Sequence, residues 1–225
     1  MTDQVRRTYS QELEALKQST LRMGALAEEL IRSSIKALIE RDAALAARTI
    51  ADDEKVDEME AAINQTCIRL LALQQPMATD LRLIASSMKI SSDIERLADH
   101  TTKISKKAAI LSELPQLKPY VDLPEMAKRV IDMFKLSLDA FINLDPVLAL
   151  KVIDMDDSID EYNHRIFTEL IELMKRDPSC INYVSHLMVV VQSLERIADH
   201  VTNICESAVF IVEGASPKSS WSAQR

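Results

Sequence analysis

Apolar residues recur three and four positions apart through most of the chain, as at Val56, Met59, Ile63 and Leu70 and again at Ile159, Tyr162, Ile166, Leu170 and Leu173. That spacing lays them along one face of an α-helix. The pattern is interrupted where the chemistry favours helix starts. An Asp side chain accepts hydrogen bonds from the free N–H groups of a first turn, and Pro at the first helical position loses nothing by lacking its own. Asp145-Pro146 and Asp177-Pro178 are two such starts, and Asp42 and Gln75-Pro76 fall at or near the matching places in the first half. The pattern predicts six helices, near 8–41, 43–74, 77–112, 123–144, 146–176 and 178–213. Pro115 and Pro119 break the periodicity, so 113–122 is read as the link between units at 1–112 and 123–214. The small, polar segment 215–225 predicts a disordered tail.

One helical phrase is written twice, as Asp93-Ile-Glu-Arg-Leu-Ala-Asp-His100 and as Ser193-Leu-Glu-Arg-Ile-Ala-Asp-His200, a shift of 195 − 95 = 100 residues. In the preceding helix of each half, Asp53 and Asp57 recur as Asp156 and Asp160, a shift of 156 − 53 = 103. An internal period marks two copies of one unit. Short links between long helices give antiparallel neighbours, so each copy is expected to be an up-down-up three-helix bundle. The last helix, with Leu187-Met-Val-Val-Val191, is apolar on nearly every face and belongs in the interior, where the copies would pack. The predicted fold is all-α: two tandem three-helix bundles, six helices, related by an internal pseudo-twofold.

Composition agrees with this reading, since two glycines and 4% aromatics leave little turn chemistry for hairpins. The net charge of −8 repels a phosphate backbone, and no basic block with interleaved aromatics offsets it, so nucleic acid is excluded as a partner. No stretch approaches the roughly 20 apolar residues of a membrane span, and the N-terminus carries no apolar leader. Three cysteines, Cys67, Cys180 and Cys205, without a C-x-x-C spacing argue against a disulfide framework and a thiolate zinc site. A cytoplasmic location is expected.

Charge placement adds candidate chemistry. Residues four apart share a helix face, which pairs Glu95 with Asp99, Glu195 with Asp199, Asp53 with Asp57, and Asp156 with Asp160. On the helical wheel Asp53 and Asp57 flank the Val56/Met59/Ile63 stripe, whereas Glu54 and Glu58 point away from it. Four carboxylates converging from two antiparallel helices suit a hard cation such as iron, manganese, magnesium or calcium; zinc is less favoured without His or Cys ligands. The competing reading is a set of solvated acidic faces neutralised by neighbours such as Arg96 and Arg196. His100 and His200 fall about 100° around the helix from Asp99 and Asp199, which gives them supporting hydrogen-bond roles. Thr102, Thr202 and Asn203 stand near the acidic side, within reach of the carboxylates. Neither Cys67 nor Cys205 has the His–Asp setting of a nucleophile, and no catalytic residue is assigned.

The doubled phrase, together with Leu73-Gln-Gln-Pro-Met-Ala-Thr-Asp-Leu-Arg82 leading into Met88-Lys-Ile-Ser-Ser-Asp93, resembles the PhoU family over roughly residues 5–214. The resemblance implies two PhoU-type three-helix bundles side by side, a homodimer, and acidic motif pairs that hold multinuclear iron or another metal such as Zn, Mn or Mg. Carried over by motif, the metal ligands are Asp53, Asp57, Glu95 and Asp99, and Asp156, Asp160, Glu195 and Asp199. The implied role is negative regulation of the phosphate-starvation (Pho) response and modulation of high-affinity phosphate uptake. The protein would act as a non-enzymatic adaptor between a PstB-like transporter ATPase and a PhoR-like sensor histidine kinase. Service to a different phosphate permease is the alternative. A di-metal carboxylate enzyme is a further one, opposed by Ala98 and Ala198 where a Glu-x-x-His pair needs histidine. Cys180-Ile-Asn-Tyr183 stands where the first half has Asp80-Leu-Arg-Leu83, and Ser193 replaces Asp93, so roles of those side chains belong to the first half alone.

Overall fold

Two Asp caps set matching corners in the two halves of the fold. Helix α1 (Asp3–Glu40) ends where Arg41 turns into the left-handed region at φ 58°, and Asp42 opens α2 (Ala43–Asp52) by accepting the Leu45 N–H at 2.8 Å. In the second half α5 (Asp122–Asn143) ends at Leu144, φ 52°, and Asp145 opens α6 (Pro146–Asp154) by accepting the Leu148 N–H at 3.0 Å. At both corners the Asp N–H returns to an alanine carbonyl, Ala37 or Ala140, at 2.9 Å. These observations come from a computed structural model that describes residues 3–115, 117 and 120–215.

The remaining elements are α3 (Glu54–Gln74), α4 (Ala78–Glu113), α7 (Asp156–Arg176), a 3₁₀ turn (Pro178–Cys180) and α8 (Ile181–Glu213). Six helical arms were expected, and six are present, but the second arm of each half is broken. The helix expected over 43–74 is interrupted at Asp53, and that over 146–176 at Met155. Each break is one tightened turn: the Val56 N–H reaches the Asp53 carbonyl at 2.8 Å, and the Ser158 N–H reaches the Met155 carbonyl at 3.1 Å. The Ser158 hydroxyl also donates to that carbonyl, at 2.7 Å, and so competes for the helical acceptor. At the third arm of the second half, Asp177 caps the 3₁₀ turn by accepting the Ser179 N–H at 3.0 Å, so the α-helix starts at Ile181 and not at Pro178. Helix α4 ends at Glu113 and α5 starts at Asp122. Residues 216–225 of the expected tail lie outside the described residues.

Helices α4 and α8 lie side by side at the centre, α1 packs on α5, and the broken arms close the outer sides of their own halves. The seam is repeat-symmetric: Leu97, Ala98, Thr101 and Ile104 of α4, and Ile197, Ala198, Val201 and Ile204 of α8, are at most 1% exposed. The interior place expected for the last helix is the place it takes. Where α1 crosses α5 the Leu138 side chain packs onto Gly24, where a Cβ would stand 2.6 Å from Leu138 Cδ1. Two arginines tie helix ends to neighbours. Arg82 donates to the carbonyls of Ile211 (2.9 Å) and Val212 (3.3 Å), and Arg41 donates to those of Ser112 and Leu114. Each satisfies acceptors left free in a last helical turn.

Candidate functional site

The breaks in the second arms decide where the acidic pairs stand. A new helix begins at each break, so Asp53 precedes α3 with Asp57 in its first turn, and Asp156 opens α7 with Asp160 one turn further on. A first turn presents free N–H groups and the positive end of the helix dipole, a setting that favours carboxylates. Glu95 and Asp99 on α4, and Glu195 and Asp199 on α8, complete the two faces. Glu54 and Glu58 are exposed, and so is Asp57, while Asp53 is partly buried.

In the first half, the Thr102 hydroxyl donates to Asp53 Oδ2 at 2.9 Å and ties the start of α3 to α4. Burial holds the Asp53 carboxyl above its ordinary range; the Thr102 bond opposes this, while repulsion from Asp57 and Asp99 adds to it and Lys106 relieves it. Glu95 is likewise raised, by burial first, then by Asp99, Glu60 and Asp57, with Arg96 opposing. In the second half, burial pushes Asp156 up to about 6, and Asp160, Asp199, Glu195 and Asp157 all push in the same direction. Glu195 is raised by burial and by Asp199, with Arg196 opposing and Asp160 adding. The acids of each half therefore feel one another across two helices.

The halves differ in how that repulsion is relieved. Arg196 reaches Asp199 at 2.9 Å and Glu195 at 3.5 Å. Arg96 makes no ion pair among the described residues. As the side chains stand, no three His, Cys, Asp or Glu among the described residues are close enough together to hold a metal ion. The chemistry of the donors nevertheless fits an oxygen-seeking cation: they are all carboxylates and mutually repelling, with Asp53, Glu95, Asp156, Glu195 and Asp199 partly buried and Asp57, Asp99 and Asp160 exposed.

Both histidines turn toward the α4–α8 seam. Their rings lie 6.0 Å apart between centroids and tilt by 37°. His200 Nδ1 is 3.0 Å from Asp93 Oδ1, and Asn203 donates to the same oxygen at 3.3 Å. Asp93 is only 5% exposed, and its Oδ2 has no hydrogen-bond partner, nor has His100 Nδ1. Burial, followed by Lys103 and His200, lowers His100 to about 4. The supporting hydrogen bond read from the sequence for both histidines is present at His200, where it links the halves, whereas His100 Nδ1 is without a partner. The Asp93–His200 contact itself was missed, and its signal was the unmatched pair Asp93 and Ser193. Ser193 returns its hydroxyl to its own helix, to Val189 O at 2.8 Å. Among the threonines and asparagine near the acids, Thr102 bonds a candidate ligand side chain, Thr202 bonds the Asp199 backbone carbonyl, and Asn203 goes to Asp93.

All three cysteines are buried and free, and burial pushes the Cys67 and Cys205 thiols up to about 12. Thiols in that state are poor nucleophiles.

Fold and sites together define a duplicated all-α bundle protein with a paired acidic face in each half. The model of the PhoU domain matches this chain twice, at residues 20–108 and 123–208. The chain belongs to the PhoU family. The phosphate-specific transport system accessory protein PhoU homolog of Caulobacter vibrioides is 38% identical over 215 residues, covering 95% of this chain and 94% of that protein. The homolog from Aquifex aeolicus is 40% identical over 203 residues, covering 90% and 92%. The crystal structure of PhoU from Pseudomonas aeruginosa is similar with a TM-score of 0.88 at 36% identity, covering 92% of this chain and 100% of that one. These relatives are accessory and regulatory proteins, and this chain is not an enzyme.

Proposed function

We propose that this protein regulates phosphate uptake as an accessory of a phosphate transporter, and that it does so as an adaptor between the transporter ATPase and a sensor histidine kinase in the cytoplasm. The observation that carries the reading is similarity along nearly the whole chain to phosphate-specific transport system accessory proteins. A structural neighbour, from Streptococcus pneumoniae, is a phosphate transport system regulatory protein. The arrangement suits an adaptor: among the described residues no helix is long and apolar enough to cross a membrane, so contact with a transporter would run through its soluble parts. Self-association as a homodimer belongs to the same reading, and sedimentation of the purified protein measures it. Deletion of the gene is expected to switch on phosphate-starvation genes in phosphate-rich medium, read with a reporter. Unchanged reporter output would sink the regulatory reading.

The two acidic faces are proposed as metal sites. Asp53, Asp57, Glu95 and Asp99 would hold an oxygen-seeking cation in one half, and Asp156, Asp160, Glu195 and Asp199 in the other. Iron is the first candidate, with manganese, magnesium and zinc as others. The cation would neutralise carboxylates whose proton affinity is raised first by burial and then by neighbouring acids. Arg196 already supplies part of that neutralisation in the second half, so a cation there competes with a guanidinium, and one in the first half does not. Metal content of the purified protein is the readout.

A further inference from the structure

The internal repeat provides a control that a single bundle lacks: each side chain of the first two arms has a counterpart 103 residues away, and each of the third arm one 100 residues away. Applied to the cleft between the first and second arms, the comparison separates the halves sharply. In the second half the cleft between α5 and α7 is roofed by its own residues. Arg165 Nε donates to Asp122 Oδ2 at 2.6 Å, and its guanidinium lies 4.4 Å from the centre of the Tyr162 ring. Arg129 approaches the same ring at 5.4 Å.

The first-half counterparts of Asp122, Tyr162 and Arg165 are Ser19, Met59 and Ala62. None of them can build that roof, and the cleft between α1 and α3 is open, with a cavity volume of about 370 Å³. Its floor is apolar, since Leu16 and Ile63 are 1% and 2% exposed. Its edges carry Arg22 and Arg69, where the second half has Glu125 and Glu172. Arg22 donates to Ser19 Oγ at 2.8 Å and has no carboxylate partner among the described residues. Arg69 has one loose contact, 3.5 Å to Glu12, and remains more than half exposed. An apolar trough between two helices, lined by Arg22 and Arg69 against the single carboxylate of Glu12, in a chain of net charge −8, is selective in what it accepts.

We propose that the groove between α1 and α3 is a docking site for an acidic amphipathic segment of a partner protein. An apolar side chain of that segment sits over Leu16 and Ile63 between Ala62 and Met59, and flanking carboxylates meet Arg22 and Arg69. The roofed cleft of the second half performs no such task, so the partner meets only one face of the pseudo-symmetric molecule. The proposal rests on the adaptor reading for the existence of a partner, and the experiment keeps the two apart.

Full-length protein is titrated against the purified transporter ATPase and the cytoplasmic part of the sensor kinase, at low and high salt, with binding followed by fluorescence anisotropy. Two variants are compared with the natural chain. Ser19→Asp/Met59→Tyr/Ala62→Arg transplants the roof of the second half into the first, using residues already compatible with this bundle. Arg22→Glu/Arg69→Glu reverses the edge charges at exposed positions and carries the comparison should the triple variant fail to fold. The expected result is binding by the natural chain that weakens with salt, and a loss of about tenfold or more in each folded variant. Unchanged affinity in the variants, with binding by the natural chain intact, overturns the groove and leaves the adaptor reading standing. Failure of the natural chain to bind either partner overturns both. A change confined to self-association, measured by sedimentation, also overturns the proposal and gives the groove to a second copy of this chain.

Discussion

Asp156 shows what a single carboxylate contributes when it is withdrawn from water among other acids. Its folded-state value of about 6 lies above its ordinary 3.8, so the folded protein binds more protons than the unfolded chain between those values. Stability is therefore lost as pH rises through that window, and the loss is complete above the folded-state value. In metal-free protein, Asp156→Asn is expected to raise the melting temperature near pH 7 and to leave it almost unchanged near pH 4. Melts with chelator at both pH values check this, and an equal change at both, or a loss near pH 7, would contradict it. Asp93 is the opposite case, an acid that holds structure together. It accepts from His200 and Asn203 across the seam, so Asp93→Ala strands two partly buried polar groups and should cost roughly 1–3 kcal/mol. Ser193→Ala, which removes only a bond within its own helix, should cost less than about 1 kcal/mol. Urea midpoints distinguish the two; equal losses would mean that the seam is held by packing alone.

The elements divide into those that chemistry at their ends announces and those that tertiary contacts decide. Asp42, Asp145 and Asp177 were legible as helix starts because a cap is a local event between a side chain and the next turn's N–H groups. The breaks at Asp53 and Met155 were not, because neither contains Pro or Gly and the apolar spacing continues across both. Those breaks put Asp53, Asp57 and Asp156 at a helix N-terminus, with Asp160 one turn on, so the sequence revealed the candidate ligands without their setting. Pairing of Asp93 with His200 was hidden for a different reason: 107 residues separate the partners, and no periodicity within one helix relates them. The α1–α5 crossing was hidden in the same way. Gly24 matches Ala127 in the repeat, yet a Cβ at Gly24 would meet Leu138 at 2.6 Å. Gly24→Val is expected to destabilise the protein by roughly 2 kcal/mol through overpacking, against a small effect of Ala25→Val on the exposed side of the same turn. Denaturant unfolding of both variants tests this, and matching stabilities would show that the crossing can widen freely.

At the scale of the whole molecule, duplication has produced symmetric packing and unsymmetric surfaces. The seam repeats residue for residue at Leu97, Ala98 and Ile104 against Ile197, Ala198 and Ile204, and burial enforces it. Outside the seam the halves diverge: Arg196 clamps its acids and Arg96 does not, and one inter-arm cleft is roofed while the other is open. A regulator that meets different partners has use for such differences. What both halves keep is the acidic face, four carboxylates in matching places, and the account depends most on those acids being ligands and not solvated charge. Elemental analysis of protein purified from its own host, beside an Asp53→Ala/Asp57→Ala/Asp156→Ala/Asp160→Ala variant, measures this directly, with circular dichroism verifying that helicity is unchanged. The account predicts bound metal in the natural protein and its loss in the variant; equal metal content in the two, or none in either, would contradict it.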